Sequence, residues 1–286
     1  MKPKLVHTVQ ELRDIVEQDR QAGRKIGLVP TMGALHAGHL SLVKASLAKT
    51  DRTVVSIFVN PTQFAPTEDF DKYPRTLPED LAALESLGAE SEIVAFAPDA
   101  SEMYPEGFDT YVTVGGAAKP LEGTFRPTHF RGVATVVLKL FNMSRADIAF
   151  FGQKDFQQVQ VIRQFVRDLN VPIQIQMCPI VREDDGLAMS SRNRYLSPEA
   201  RQDALVLSQS LEEARQLIQS GCTSTAEVER SIREKLEADP DHKVDYVAIV
   251  DPDTLEPQGE TIVKPVSILL AMYIAGVRLI DNIVVE

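Results

Sequence analysis

The sequence predicts an α/β fold: a doubly wound parallel sheet with helices on both faces, followed by a smaller α+β domain. Three features predict it. Short apolar runs alternate with amphipathic helical patterns through the first half of the chain. Those runs are apolar almost throughout, as strands buried on both faces must be. Beyond about residue 178 the alternation gives way to two helices and then three strands. Domains are therefore expected at 1–178 and 179–286.

The elements follow in order. Ile26–Val29 reads as a strand, His39–Thr50 as a helix and Thr53–Val59 as a second β-rich strand. Leu77–Leu87 is a helix stopped by Gly88, and Ile93–Phe96 is a third strand. After a Pro/Gly-rich stretch come the helix Phe130–Phe141, the strand Ile148–Phe151, the helix Phe156–Leu169 and the strand Ile173–Met177. Val181–Asn193 is polar and loop-like. Ser197 and Pro198 start a helix, the serine as N-cap and the proline at the first helical position. Helices over Pro198–Gln219 and Ala226–Ala238 and strands over Val244–Val250, Ile262–Tyr273 and Val277–Val285 make up the second domain.

Composition narrows the function classes. Hydrophobic content of 44% and charged content of 25% suit a globular chain of 286 residues, enough for one large domain or two ordinary ones. Lys+Arg 30 against Asp+Glu 41 leaves −11, which disfavours nucleic acid as a partner. Cys178 and Cys222 show neither metal-ligand spacing nor a disulfide framework, in keeping with a reducing cytosol. Met1–Thr8 lacks the apolar core of a signal peptide, and Arg278 and Asp281 interrupt the most apolar stretch, Val266–Val285. A cytoplasmic chain with no membrane partner is expected.

Ligands of open parallel sheets sit beyond the C-terminal strand ends. Four segments fall there, Thr31–His39, Asn60–Phe64, Gly152–Gln158 and Val181–Arg192, and should converge on one site. In the first, Met32-Gly33-Ala34-Leu35-His36-Ala37-Gly38-His39 runs from a buried strand into a helix that opens near His39. Such a terminus offers free N–H groups and the positive end of the helix dipole to an anion. Gly33 and Gly38 admit a phosphate chain, and His36 and His39 can donate to phosphoryl oxygens as negative charge builds. The segment reads as a triphosphate site; for the tetrapeptide alone, helix capping or metal binding by either histidine stands beside that reading.

In the second segment Gln63 offers both a donor and an acceptor, suited to a small hydroxy-carboxylate or simply to a satisfied turn. In the third, Gly152 permits backbone approach and Lys154 is a mobile point charge for phosphate. Asp155 can accept from ribose hydroxyls and Gln158 can bind a second substrate; otherwise Asp155 is an N-cap among solvated side chains. In the fourth, Ser190, Ser191 and Arg192 form a clamp for a triphosphate or belong to a solvated linker. Arg126–Val133 lines an acidic-substrate pocket or sits on a surface turn. Asp184 and Asp185 raise the question of a metal, but Mg²⁺ is better carried by the nucleotide, where it keeps waters and binds substrate phosphates. No metal held by the protein itself is expected.

Together, Pro30–His39, Asn60–Phe64, Arg126–Val133, Phe151–Gln158, Gly186–Asn193 and the C-terminal Arg278-Leu279-Ile280-Asp281-Asn282 resemble the pantothenate synthetase (pantoate–β-alanine ligase) family over essentially the whole chain. The resemblance implies a Rossmann-like domain of the nucleotidyltransferase type carrying the His-x-Gly-His signature, with the smaller domain as a lid over the cleft. It implies ATP-dependent condensation of pantoate with β-alanine through a pantoyl adenylate, releasing AMP and pyrophosphate, in a homodimer. Carried over by position, Met32–His39 contact ATP, with His39 the proton donor and His36 its partner on the phosphates. Gly152, Gln153, Lys154 and Asp155 hold the nucleotide, Val181 touches adenine, and Met189, Ser190, Ser191 and Arg192 close over the phosphates. Gln63 binds pantoate and borders β-alanine, Gln158 binds pantoate, and Asn60 belongs to the same substrate turn. His36, His39, Lys154 and Arg192 are the expected catalytic set. Two departures stand out: Thr128 replaces a common glycine, and Phe156 replaces a frequent tyrosine.

Two other functions fit less well. An adenylyltransferase that leaves AMP on a phosphorylated acceptor is poorly served by the neutral amides of Gln63 and Gln158. A nucleotide sensor or a tRNA-synthetase-like module is disfavoured by the −11 charge and by the paired imidazoles.

Overall fold

The computed structural model describes residues 3–66, 68–88 and 92–286. Met1 and Lys2, at the start of the expected first domain, lie outside the described residues. The chain forms two compact units, one of Met1–Gly152 with Val161–Pro179 and one of Gln153–Gln160 with Ile180–Glu286.

In the first unit the order is β1 (Lys4–Val6), α1 (Val9–Gln21), β2 (Ile26–Thr31), α2 (Ala37–Leu47), β3 (Arg52–Ile57), α3 (Leu77–Glu85), β4 (Glu92–Phe96), α4 (Ala100–Met103), α5 (Glu122–Phe125), α6 (His129–Ser144) and β5 (Ile148–Gly152). The helix α7 (Phe156–Asp168) starts in the second unit and ends in the first, where β6 (Gln174–Cys178) follows. The six strands lie in the order β1-β4-β3-β2-β5-β6, and every neighbouring pair is parallel. Strand alternation sends Val29, Val55 and Phe150 to the face packed by Val43 of α2 and Leu84 of α3. It sends Phe151 to the other face, where its ring meets Phe141 of α6 with centroids 6.5 Å apart. The sheet is thus doubly wound, and its order reverses between β2 and β5. That crevice, at the ends marked by Thr31 and Gly152, is where such sheets bind ligands.

Among the strands and α-helices of the described residues, four go beyond the sequence expectation: the four-residue helices α4 and α5, and β1 and α1. Three residues are too few for β1 to show a period, and it is recognisable only by its pairing with β4. The helix α1 is capped by Thr8, whose side chain accepts from the Glu11 amide while Glu11 reaches back to the Thr8 amide. It is tied to β3 by Arg52, whose Nε and Nη2 donate to Asp19 at 2.6 and 2.9 Å, both side chains being buried.

The second unit contains α8 (Pro198–Asp203), α9 (Leu205–Gln219), α10 (Thr225–Leu236) and the antiparallel sheet β7 (Lys243–Val250), β8 (Val266–Ile274), β9 (Val277–Val285). Its core joins Leu207, Leu211 and Ile232 to Ile268 and Leu270. The helix expected over Pro198–Gln219 divides at Ala204 into α8 and α9. The strand expected from Ile262 begins at Val266, after Pro265, which has no N–H for the ladder. Among the described residues no helix is long and apolar enough to cross a membrane.

Candidate active site

The turn that leaves β2 is built by side chains outside it. Thr31 Oγ1 donates to the Ser56 carbonyl of β3 at 2.6 Å and accepts from the Gly33 amide at 3.2 Å. Gly33 (φ 85°) and Ala34 (φ 50°) both adopt left-handed conformations. The second is unfavourable for a residue with a Cβ and needs support from its surroundings. Asp80, in the first turn of α3, supplies it. Its buried carboxylate accepts from the amides of Ala34 at 3.1 Å and Leu35 at 2.7 Å, and from Thr76 Oγ1 at 3.3 Å. Burial pushes this carboxyl above its ordinary value, against the lowering pull of the Leu35 and Ala34 amides. A Cβ on Gly33 would stand 3.0 Å from the Asp80 carboxylate.

So held, the chain enters α2 with His36 as N-cap residue and His39 one turn on. Their rings lie with centroids 4.0 Å apart, tilted by 34°, and the His36 amide points at His39 Nδ1, 3.4 Å away. An Nδ1 that accepts leaves the proton of a neutral imidazole on Nε2, the kind of donor an anion needs. The helix N-terminus adds its own N–H groups and dipole.

The Asn60–Gln63 turn, a short 3-10 helix over Pro61–Gln63, is brought to the same strand ends. Asn60 and Gln63 are buried. Asn60 Nδ2 donates to Gln63 Oε1 at 3.1 Å, and Asn60 Oδ1 accepts from Tyr104 Oη at 2.7 Å and Thr62 Oγ1 at 3.0 Å. Gln63 Nε2 lies 3.1 Å from Met32 Sδ, a weak acceptor that a substrate oxygen can replace. The helix α6 packs directly on this turn because Gly132 has no side chain: a Cβ there would come within 2.4 Å of the Thr62 carbonyl oxygen.

Within Arg126–Val133, Arg126 and His129 brace the neighbouring Gln63 turn. Arg126 makes a bidentate pair with Glu68 at 2.7 and 2.9 Å. His129 Nδ1 lies 3.0 Å from the Gln63 carbonyl, and its Nε2 lies 3.3 Å from Arg126 Nη1. Burial, and then the Arg126 charge, lower the His129 pKa to about 4. A neutral ring that donates through Nδ1 and accepts at Nε2 satisfies both neighbours. Arg131 instead lies over the Tyr111 ring, 4.8 Å from its centroid.

The remaining segments belong to the second unit. Asn282 of β9 donates from Nδ2 to the carbonyls of Gln153 and Lys154 at 2.9 and 3.0 Å. Lys154 Nζ lies 3.7 Å from Asp155 Oδ1, a loose pair easily exchanged for phosphate. Asp155 is exposed, while Gln158 is half-buried in the first turn of α7. Val181–Met189 is a closed hairpin, not a free linker: the Met189 amide donates to the Val181 carbonyl at 3.0 Å, and Arg182 bridges to Ala188. Arg201 of α8 clasps Glu183 and Asp185, each at 2.8 Å. Desolvation raises both carboxyls, but their bonds, chiefly to Arg201 for Glu183 and to the Leu187 amide for Asp185, outweigh it and hold them below the ordinary range. Ser190 then caps the short helix Ser191–Tyr195, accepting from the Arg192 amide at 3.3 Å. Among the described residues no group of three His, Cys, Asp or Glu side chains is placed to hold a metal.

Sequence reasoning does not single out Asp80, Tyr104, Asp281 or Asn282 as functional candidates. Asp80 reads as an acid favouring a helix N-terminus, and nothing in its spacing ties it to Ala34. The last two are visible only as members of a C-terminal motif.

A doubly wound parallel sheet with a His-x-Gly-His helix start at its switch point defines a Rossmann-type fold of the nucleotidyltransferase class. The profile of the pantoate–β-alanine ligase family matches residues 4–284, and the chain belongs to that family. It is 51% identical over 283 residues to the pantothenate synthetase of Acetivibrio thermocellus, with 99% of each chain covered. Among solved structures, pantothenate synthetase from Thermus thermophilus matches with a TM-score of 0.92 at 45% identity, covering 98% of both chains. Pantoate–β-alanine ligase from Francisella tularensis, solved in complex with βγ-ATP and β-alanine, matches with a TM-score of 0.78 at 34% identity, covering 99% of this chain and 97% of that one.

Proposed function

We propose that the protein condenses pantoate with β-alanine at the expense of ATP, through a pantoyl adenylate, and releases AMP and pyrophosphate. The observation that carries this reading is the Asp80-braced turn that sets His36 and His39 at the start of α2, beside the buried Gln63. In the first step a pantoate carboxylate oxygen attacks the α-phosphorus, and the bond to the bridging oxygen of pyrophosphate breaks. In the second the β-alanine amine attacks the acyl carbon, the C–O bond to AMP breaks, and the amine loses a proton. A free carboxylate has no usable leaving group; the mixed anhydride has AMP.

His39 Nε2, with His36, Lys154 and Arg192, stabilises the charge that gathers on the phosphates, each such donor being worth on the order of 10²–10³ in rate. The remaining nucleotide contacts run through Met32–Gly38, Gly152, Gln153, Asp155, Val181 and Met189–Ser191. Gln63, Asn60 and Gln158 hold pantoate, with β-alanine at its border. Mg²⁺ comes with the triphosphate and supplies charge neutralisation there. The C-terminal domain serves as the lid, and the working form is a cytoplasmic homodimer. The fit of this family's reaction to the chain rests on full-length kinship and on a net charge of −11 that disfavours nucleic acid.

The test is His39→Ala. It should keep its melting temperature and lose pantoate-dependent exchange of labelled pyrophosphate into ATP by about 10²-fold or more. Exchange at the wild-type rate in a folded variant would remove His39 from the reaction.

A further inference from the structure

The C-terminal motif Arg278–Asn282 has no role in the reaction as described, yet two of its residues are nearly fully buried and are spent on loops, not on the core. Asp281 Oδ1 and Oδ2 accept from Arg182 Nη2 and Nη1 at 3.0 and 2.7 Å, at the neck of the Val181–Met189 hairpin. The same Arg182 Nη1 donates to the Gly186 carbonyl at 3.1 Å, so the guanidinium also fixes the hairpin tip. The next residue, Asn282, donates to the carbonyls of Gln153 and Lys154 and accepts from Gln153 Nε2 at 3.3 Å. Its own amide donates to Asp281 Oδ1 at 2.8 Å, coupling the two anchors.

Neighbouring strand residues point to opposite faces, so one turn of the pleat can hold two loops on two sides. The first loop carries Lys154. The second leads straight into Ser190, Ser191 and Arg192, and Asn193 Nδ2 secures that exit by donating to Glu183 Oε1 at 2.8 Å and the Ala188 carbonyl at 3.0 Å.

We infer that Asp281 and Asn282 are positioning residues for ATP: side by side on β9, they fix the Lys154 loop and the Arg182–Arg192 loop in one frame, so that the two phosphate-binding segments meet the nucleotide as a unit. This rests on the proposed assignment of both loops to ATP. A cation misplaced by about an ångström loses much of its effect on a transferring phosphoryl group.

Asn282→Asp keeps the shape but turns a donor into an acceptor facing two carbonyls, and Asp281→Asn removes the charge that Arg182 meets. Each should raise the KM for ATP about tenfold or more while the KM for pantoate stays within about twofold. A merely structural lesion lowers the active fraction, and so kcat, with every KM intact; that result, or unchanged kinetics in folded variants, overturns the inference. Wild-type turnover in the same assay separates these outcomes from a failure of the functional reading. Hydrogen exchange on the wild-type protein covers the case in which the variants do not fold. ATP should protect 153–155, 181–192 and the amides of Asp281 and Asn282 together. Protection of the loops without any change at 281–282 would refute the coupling.

Discussion

Asp80 shows how one side chain outside a motif can carry it. Two amides of the β2–α2 turn donate to its carboxylate, and Ala34 keeps its left-handed conformation because of them. Asp80→Asn preserves the size and sets an NH₂ against one of those N–H groups, a loss of about 1–3 kcal/mol. Pantoate-dependent adenylation should fall about tenfold or more, with the pantoate KM unchanged; a variant at wild-type rate would show that the turn holds itself. His129 makes a second residue-level case. Its pKa is lowered to about 4, below the 6.5 of a free imidazole, so between those values the unfolded chain binds the proton and the folded one does not. Stability is then complete above about pH 6.5 and declines as the pH falls towards 4. Replacing His129 by Gln should flatten that part of the melting-temperature profile, and an unchanged slope would assign it to other groups.

Among elements, α6 does most to shape the Asn60–Gln63 turn, proposed to hold substrate. Gly132 lets it lie against Thr62 and Gln63, and the His129 ring at its start supports the Gln63 carbonyl. In Gly132→Ala the new Cβ must displace the Thr62 backbone, at a cost of about 1–3 kcal/mol. The pantoate KM should rise about tenfold while ATP affinity, measured by calorimetry, stays as it was. Equal losses for both ligands would argue that the helix supports the whole unit and not the turn. The strands and helices that build this frame were legible because their periods are strong: Ile148–Phe151 is continuous and apolar, and α7 is plainly amphipathic. Ser197 and Pro198 marked α8 correctly. What escaped for a physical reason was short, as β1, α4 and α5 are. The helix α1 was legible: Thr8 and Glu11 form a capping box, and Leu12, Ile15 and Val16 recur at helical spacing on its buried face.

At the scale of the whole chain, the segments proposed to bear the chemistry were legible, and their supports were not. The paired histidines, Gln63, Lys154 and Arg192 declare themselves by residue type at strand ends. Their anchors are remote: Asp80 acts on Ala34 from 46 positions away, and Asn282 on Gln153 from 129. No local pattern encodes such a pair, because an Asp in a helix start or an Asn in a strand is ordinary until the partner backbone arrives. The same remoteness explains why Gln153–Gln160 groups with the second unit, although its sequence continues the βα alternation of the first.

Product release is the deciding observable. AMP and pyrophosphate should be measured from Mg-ATP with pantoate alone, with pantoate and β-alanine together, and with neither. The prediction is steady release of AMP only when both acids are present, in step with pyrophosphate and with a new amide product. Absence of AMP with both present, from folded protein that binds ATP, would contradict the ligase and leave an adenylyltransferase that keeps AMP on a phosphorylated acceptor.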